Sequence, residues 1–155
     1  VHQQPRCNGP IGERHLEPPP FRIGHLQRRL VLAVPRQTRA QEVQALLRAH
    51  ADAEHFDSVS EVSVGSRVLP AVRETNPDIV LLDMRMPELD GLACLARLRK
   101  HDPTIAVVIL SSYNDQASIE AAREAGALGY IVKTIEPVDL PAVLRSALSG
   151  QPFAV

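Results

Sequence analysis

Before Arg29 no apolar period of helix or strand type appears; from Leu30 onward the pattern is regular. Leu30–Val34 is an apolar run closed by Pro35, which reads as a buried strand. Ala40–His50 sets Val43, Leu46 and Leu47 on one helical face. Val59–Val64 alternates apolar and polar residues as a strand does. Val68, Leu69 and Val72 predict a second helix, ending before Asn76-Pro77. Ile79–Leu82 is a third strand that runs into Asp83. Leu92, Leu95 and Leu98 mark a third helix, ended by Asp102-Pro103. Ile105–Leu110 is an apolar fourth strand, and Ser118–Ala125 an alanine-rich helix with Gly126 at its C′ position. Leu128–Val132 predicts a fifth strand. Pro137 suits the first turn of a last helix that turns Val138, Val143, Leu144, Ala147 and Leu148 inward and stops at Gly150.

Five strands, most of them continuous apolar runs, alternating with five amphipathic helices predict an α/β fold: a parallel sheet covered on both faces. The flavodoxin-like doubly wound strand order 2-1-3-4-5 fits this count. In such a sheet the functional crevice lies at the carboxyl ends of the strands, near the switch point.

Composition divides the chain. Residues 1–29 hold five Arg and two Glu, and five of the 13 prolines fall in the first 20 residues. Residues 1–28 are therefore expected to be a disordered, mildly basic tail, 29–150 the domain, and 151–155 the remnant of a linker. The whole chain carries a net charge of −1, so the basic face of a nucleic-acid module is missing, and direct nucleic-acid binding is not expected. Aromatics make up 3% with no Trp, which leaves no stacking platform for bases. Two cysteines, Cys7 and Cys94, make no disulfide framework, and the six His lack metal-ligand spacing. No apolar run approaches the roughly 20 residues of a membrane span, and with no apolar h-region near Val1 a secretory signal is not expected. A cytoplasmic location, with no membrane partner, is the expectation.

The strand ends carry the chemistry. Asp83 follows the third strand, Ser111 the fourth and Lys133 the fifth. A carboxylate can attack a phosphoryl group, a hydroxyl can bond one phosphoryl oxygen, and an ammonium can neutralise another. Asp78–Gly91 (DIVLLDMRMPELDG), Ile105–Ser112 and Gly126–Lys133 (GALGYIVK) together resemble the receiver domain of two-component response regulators, the CheY-like superfamily. MRMPELDG, SSY and GYIVK are most similar to receivers of LuxR-type regulators. The resemblance implies Asp83 as phosphoacceptor, Lys133 as phosphate-binding lysine, Ser111 as switch hydroxyl and Tyr130 as switch aromatic. It also implies a histidine kinase as partner, and a homodimer through the face of the fourth helix, fifth strand and fifth helix. It makes the chain a signalling module, with at most weak self-phosphorylation or dephosphorylation at Asp83.

One part of the family pattern is missing. The family places two acidic residues after the first strand, which hold Mg²⁺ together with the phosphoacceptor. Here those positions are Pro35 and Arg36. Magnesium needs hard oxygen ligands in near-octahedral array, so beyond weak contact at Asp83 no metal and no cofactor is expected. Phosphoryl transfer rests on positioning and charge neutralisation, and Mg²⁺-dependent phosphorylation of Asp83 should be impaired or absent. The expected function is an atypical receiver acting by protein–protein interaction. Two alternatives stand beside it: a working phospho-receiver that recruits another acid such as Glu61 or Glu88, and a small-molecule binder using the same crevice. Arg36 either pairs with Asp83 or turns to solvent.

Overall fold

Five strands are laid down in one parallel sheet: β1 (Arg29–Ala33), β2 (Ser58–Val62), β3 (Ile79–Asp83), β4 (Ala106–Ser111) and β5 (Gly129–Val132). The computed structural model describes residues 29–35 and 58–149. The predicted helix Ala40–His50, Arg36, the tail 1–28 and residues 151–155 lie outside the described residues. Four α-helices lie within them: α1 (Val68–Thr75), α2 (Gly91–His101), α3 (Gln116–Glu124) and α4 (Leu140–Leu148). The strand order is β2-β1-β3-β4-β5, as the alternating pattern predicts.

Strand residues alternate between two cores, because successive side chains leave a sheet on opposite faces. Leu30, Leu32, Ile79, Leu81, Val108, Leu110 and Ile131 pack with Leu140, Leu144, Ala147 and Leu148 of α4. Val31, Ala33, Val80, Leu82, Val107, Ile109 and Tyr130 pack with α1, α2 and Ala122 of α3. With both faces covered, all five residues of β3 and all six of β4 are buried, which is why those strands read as unbroken apolar runs.

The helices begin and end where local chemistry dictates. Asp90 caps α2 by accepting from Ala93 N–H, and Asp115 caps α3 by accepting from Ser118 N–H. Those bonds, with the Ser118 hydroxyl, hold the Asp115 carboxyl below its usual range. Gly126 takes φ +92° after α3, where a side chain would be strained. Arg99 ties the base of the sheet together, donating to the carbonyls of Gly126 (2.9 Å) and Ile105 (2.6 Å).

The last helix differs from the expected one. Pro137–Asp139 forms a separate 3₁₀ turn, and α4 starts at Leu140 with Pro141 in its first turn. Val138 is accordingly 60% exposed rather than turned inward. The i+3 spacing of a 3₁₀ turn does not carry the 3.6-residue face back into α4. The fourth strand extends one residue beyond its apolar run, so Ser111 is its last member.

Candidate functional site

The register of the sheet collects residues from distant parts of the chain at one end. Asp83 ends β3 opposite Leu110 of β4, and Ser111 pairs with Val132 of β5, one residue before Lys133. On the other side Ala33 pairs with Leu82. One further step along that register sets Val34 beside Asp83 and Pro35 just beyond it. The chain reverses direction across the sheet between β1 and β3, so this is also the switch point.

Asp83 is 1% exposed, and both of its oxygens are engaged. The Lys133 ammonium reaches Oδ2 in an ion pair. Arg85 N–H donates to Oδ1 at 2.8 Å, closing a short turn that starts the β3–α2 loop. Lys133 is itself fixed by its backbone, whose N–H donates to the Ser111 carbonyl at 2.7 Å. A carboxylate buried among apolar strands needs such partners, since burial penalises an unpaired charge heavily.

Ser111 is equally buried and its Oγ accepts from Tyr113 N–H at 3.1 Å. Tyr130, 1% exposed, donates its hydroxyl to the Tyr113 carbonyl at 2.8 Å. Tyr113 therefore joins the end of β4 to the interior of β5. Tyr113 is 41% exposed, and its ring lies 4.8 Å from the Arg85 guanidinium, which also donates to the Tyr113 hydroxyl. Asp83, Lys133 and Ser111 fall at this end of the sheet; Tyr130 lies further back in β5, level with Ile109, and reaches toward it through its hydroxyl. Arg85 and Tyr113 had no role in the sequence reading. Their only sequence signal is that each lies two residues beyond a strand-end site residue.

The β3–α2 loop is held from below. Gly65 N–H donates to the Pro87 carbonyl at 2.9 Å, and the Ser66 hydroxyl donates to the Glu88 carboxylate. Cys94 is buried as a small hydrophobe, its thiol facing the Gly65 carbonyl at 3.4 Å. Burial, and then the charge of Asp90, push that thiol up to about 11.

No acidic residue stands at the end of β1 in the sequence. Pro35 brings no carboxylate, and residues 36–39 read Arg-Gln-Thr-Arg. Glu88 is engaged by Ser66, and Glu61 lies in β2, separated from β3 by β1. Among the described residues no group of three His, Cys, Asp or Glu side chains is placed to hold a metal.

Relatives of known sequence and structure agree with this architecture. Residues 40–145 match the family model of the response regulator receiver domain. The transcriptional regulatory protein YhcZ of Bacillus subtilis, itself uncharacterised, is 36% identical over 85 residues, 55% of this chain and 40% of the relative. The nitrate/nitrite response regulator NarL of Escherichia coli is 34% identical over 93 residues, 60% of this chain and 43% of the relative. The chain thus spans about two fifths of the length of these curated relatives. A two-component response regulator of the LuxR family from Aurantimonas superimposes with a TM-score of 0.74 at 25% identity, covering 83% of this chain and 89% of that one. With the receiver strand order in place and more than half of its residues matched by the family model, the chain belongs to the response regulator receiver domain family.

Proposed function

We propose that this chain is an atypical receiver whose Mg²⁺-dependent phosphorylation at Asp83 is impaired or absent, and which acts through protein–protein contacts. The observation that carries the reading is the end of β1. Level with the buried Asp83 the chain passes through Val34 and then Pro35, where a receiver needs acids. One protein carboxylate, already bonded to an ammonium and a backbone N–H, is a poor cradle for a cation that demands several oxygen ligands. Without that cation, the charge building up in phosphoryl transfer loses a main source of stabilisation.

In this reading Asp83, Lys133 and Ser111 keep the strand-end network in a single arrangement, and Tyr130 stays inward. The contact surface is the face of α3, β5 and α4, used for a second copy or for a cytoplasmic signalling partner such as a histidine kinase. A groove of about 440 Å³ lies along it, lined by Gly129, Ile131, Ala142, Val143 and Ala147. The small residues among them, Gly129, Ala142 and Ala147, leave room for a partner's apolar groups.

The test is acetyl phosphate treatment with and without Mg²⁺, followed by mass spectrometry of the Asp83 peptide. No Mg²⁺-dependent phosphoryl adduct is expected, and NMR titration with Mg²⁺ should give no saturable shifts around Asp83. An adduct on Asp83 that requires Mg²⁺ would overturn the reading in favour of a working phospho-receiver.

A further inference from the structure

α4 meets the sheet along two flanks that are filled differently. Leu140, Leu144 and Leu148 lie on one, and all three are buried in the core. On the other, Ala142, Ser146 and Ala147 share a cleft of about 440 Å³ with Val108, Gly129 and Ile131. Small residues keep it open: a Cβ built on Gly129 would still stand 3.7 Å from Ala147 and Val108. Tyr130 also lines the cleft, but its hydroxyl is bound to the Tyr113 carbonyl, so Asp139 and Ser146 supply its free polar groups. No Lys, Arg or His lines it. Asp139 is an acid that its helix does not use. It holds the N-cap position of α4, as Asp90 and Asp115 do for α2 and α3, yet makes no cap bond. The cause is its backbone. A capping residue is extended, as Asp90 and Asp115 are with ψ 163° and 145°, whereas Asp139 leaves a 3₁₀ turn with ψ −17°. Pro141 then removes one of the N–H groups that a cap would satisfy. The Asp139 carboxylate is left exposed at the cleft, with no partner among the described residues.

We propose that the cleft between β5 and α4 binds a small organic cation, an amine or guanidine carried on an apolar body. The body lies against Val108, Gly129 and Ile131, and the head pairs with Asp139. Three properties of the cleft select this class. Its volume falls within the range of small-molecule pockets, roughly 300–1,000 Å³. Its walls are mainly apolar, so an apolar body gains by leaving water. Its charge is one uncommitted carboxylate with no basic residue beside it, which attracts a cation and repels an anion. Because Asp139 is exposed, the ion pair sets the sign and orientation of the ligand, while the apolar contact supplies most of the affinity. Ser146 stands two helical turns beyond Asp139, which bounds the apolar body at about 10 Å. The inference goes beyond the reading above and does not depend on the state of Asp83. It places a small-molecule input on the face assigned to protein contacts.

The experiment titrates the full chain with phenylbutylamine, and in parallel with phenylbutanol and phenylbutyrate, which keep the body and make the head neutral or anionic. Backbone and methyl NMR follows Gly129, Ile131, Ala142, Val143 and Ala147. Saturable shifts at these residues are expected, with a Kd on the order of 1 mM for the amine. The alcohol should bind about threefold to fivefold more weakly, and the carboxylate most weakly of the three. Asp139→Asn should remove the preference for the amine and leave the affinity for the alcohol unchanged. Ala142→Leu fills the cleft from an exposed helical position, and should abolish binding of all three probes while the amide spectrum stays that of the folded chain. Absence of saturable shifts at the cleft, equal affinity for the three probes, or an amine preference that survives Asp139→Asn would overturn the proposal. Cleft signals that move with protein concentration in the absence of any probe, and stop moving in Ala142→Leu, would assign the cleft to a second copy and overturn it as well. Labelling of Asp83 by acetyl phosphate is unaffected by any of these outcomes, so failure of this proposal and failure of the impaired-phosphorylation reading are told apart.

Discussion

A carboxylate with 1% of its surface exposed survives inside a sheet only because something meets each oxygen. For Asp83 those partners are the Lys133 ammonium and Arg85 N–H. Removing the ammonium strands the charge, whereas removing the charge strands little, because an amide oxygen still accepts from Arg85. Lys133 is 24% exposed and keeps part of its hydration, which moderates the loss. Lys133→Met should therefore cost about 2 kcal/mol, Asp83→Asn less, and the double variant clearly less than their sum. Urea denaturation of the four proteins reads the coupling, and strict additivity would show that the pair contributes nothing. Cys94 gives a second residue-scale test, through pH. Its thiol is raised from 9.0 to about 11 in the fold, so the folded state holds the proton more tightly. The associated stability is complete below about pH 9 and is lost as pH rises toward 11, by about 2 kcal/mol. Cys94→Ala should remove that part of the alkaline decline, and an unchanged difference between the two proteins from pH 8 to 11 would refute it.

At the scale of elements, the central strands were legible because both of their faces are covered. Leu30–Val34, Ile79–Leu82 and Ile105–Leu110 read as apolar runs, and these are the strands found, to within a residue or two. The strand ends were legible for the same reason: Asp83, Ser111 and Lys133 are the first polar residues after apolar runs. Contacts between loops were not. Arg85 and Tyr113 are 28 residues apart and meet through exposed side chains, with no periodicity to announce them. The seat of the β3–α2 loop was equally hidden. A Cβ on Gly65 would lie 2.0 Å from the Leu89 carbonyl oxygen, so the loop and the 3₁₀ turn Gly65–Arg67 approach too closely for any side chain. Gly65→Ala should cost about 3 kcal/mol and displace the amide signals of residues 84–90. Gly129→Ala is the contrast, since its Cβ would meet nothing closer than 3.7 Å and should cost under about 1 kcal/mol. Equal stability of the two variants would mean that the loop is not seated on Gly65.

The whole molecule works as an aligning device: the order β2-β1-β3-β4-β5 brings the end of β1, near residue 35, beside Asp83 and within the same crevice as Ser111 and Lys133. If the sheet already supplies that alignment, restoring metal binding needs only the missing side chains. Pro35→Asp with Arg36→Asp is the corresponding variant. In EDTA it gathers three carboxylates near one Lys133, and like charges so placed oppose one another. It should then be less stable than the parent by about 1–2 kcal/mol. Mg²⁺ reverses the sign, because a ligand that binds only the folded state stabilises it in proportion to the logarithm of its concentration over its Kd. Thermal denaturation should show the variant, and not the parent, gaining stability as Mg²⁺ is raised. Acetyl phosphate should then label Asp83 in the variant, only when Mg²⁺ is present. A variant that folds but gains neither Mg²⁺ stabilisation nor labelling would show that the end of β1 is not the missing component, and that Asp83 is withheld by the contacts it makes with Lys133 and Arg85.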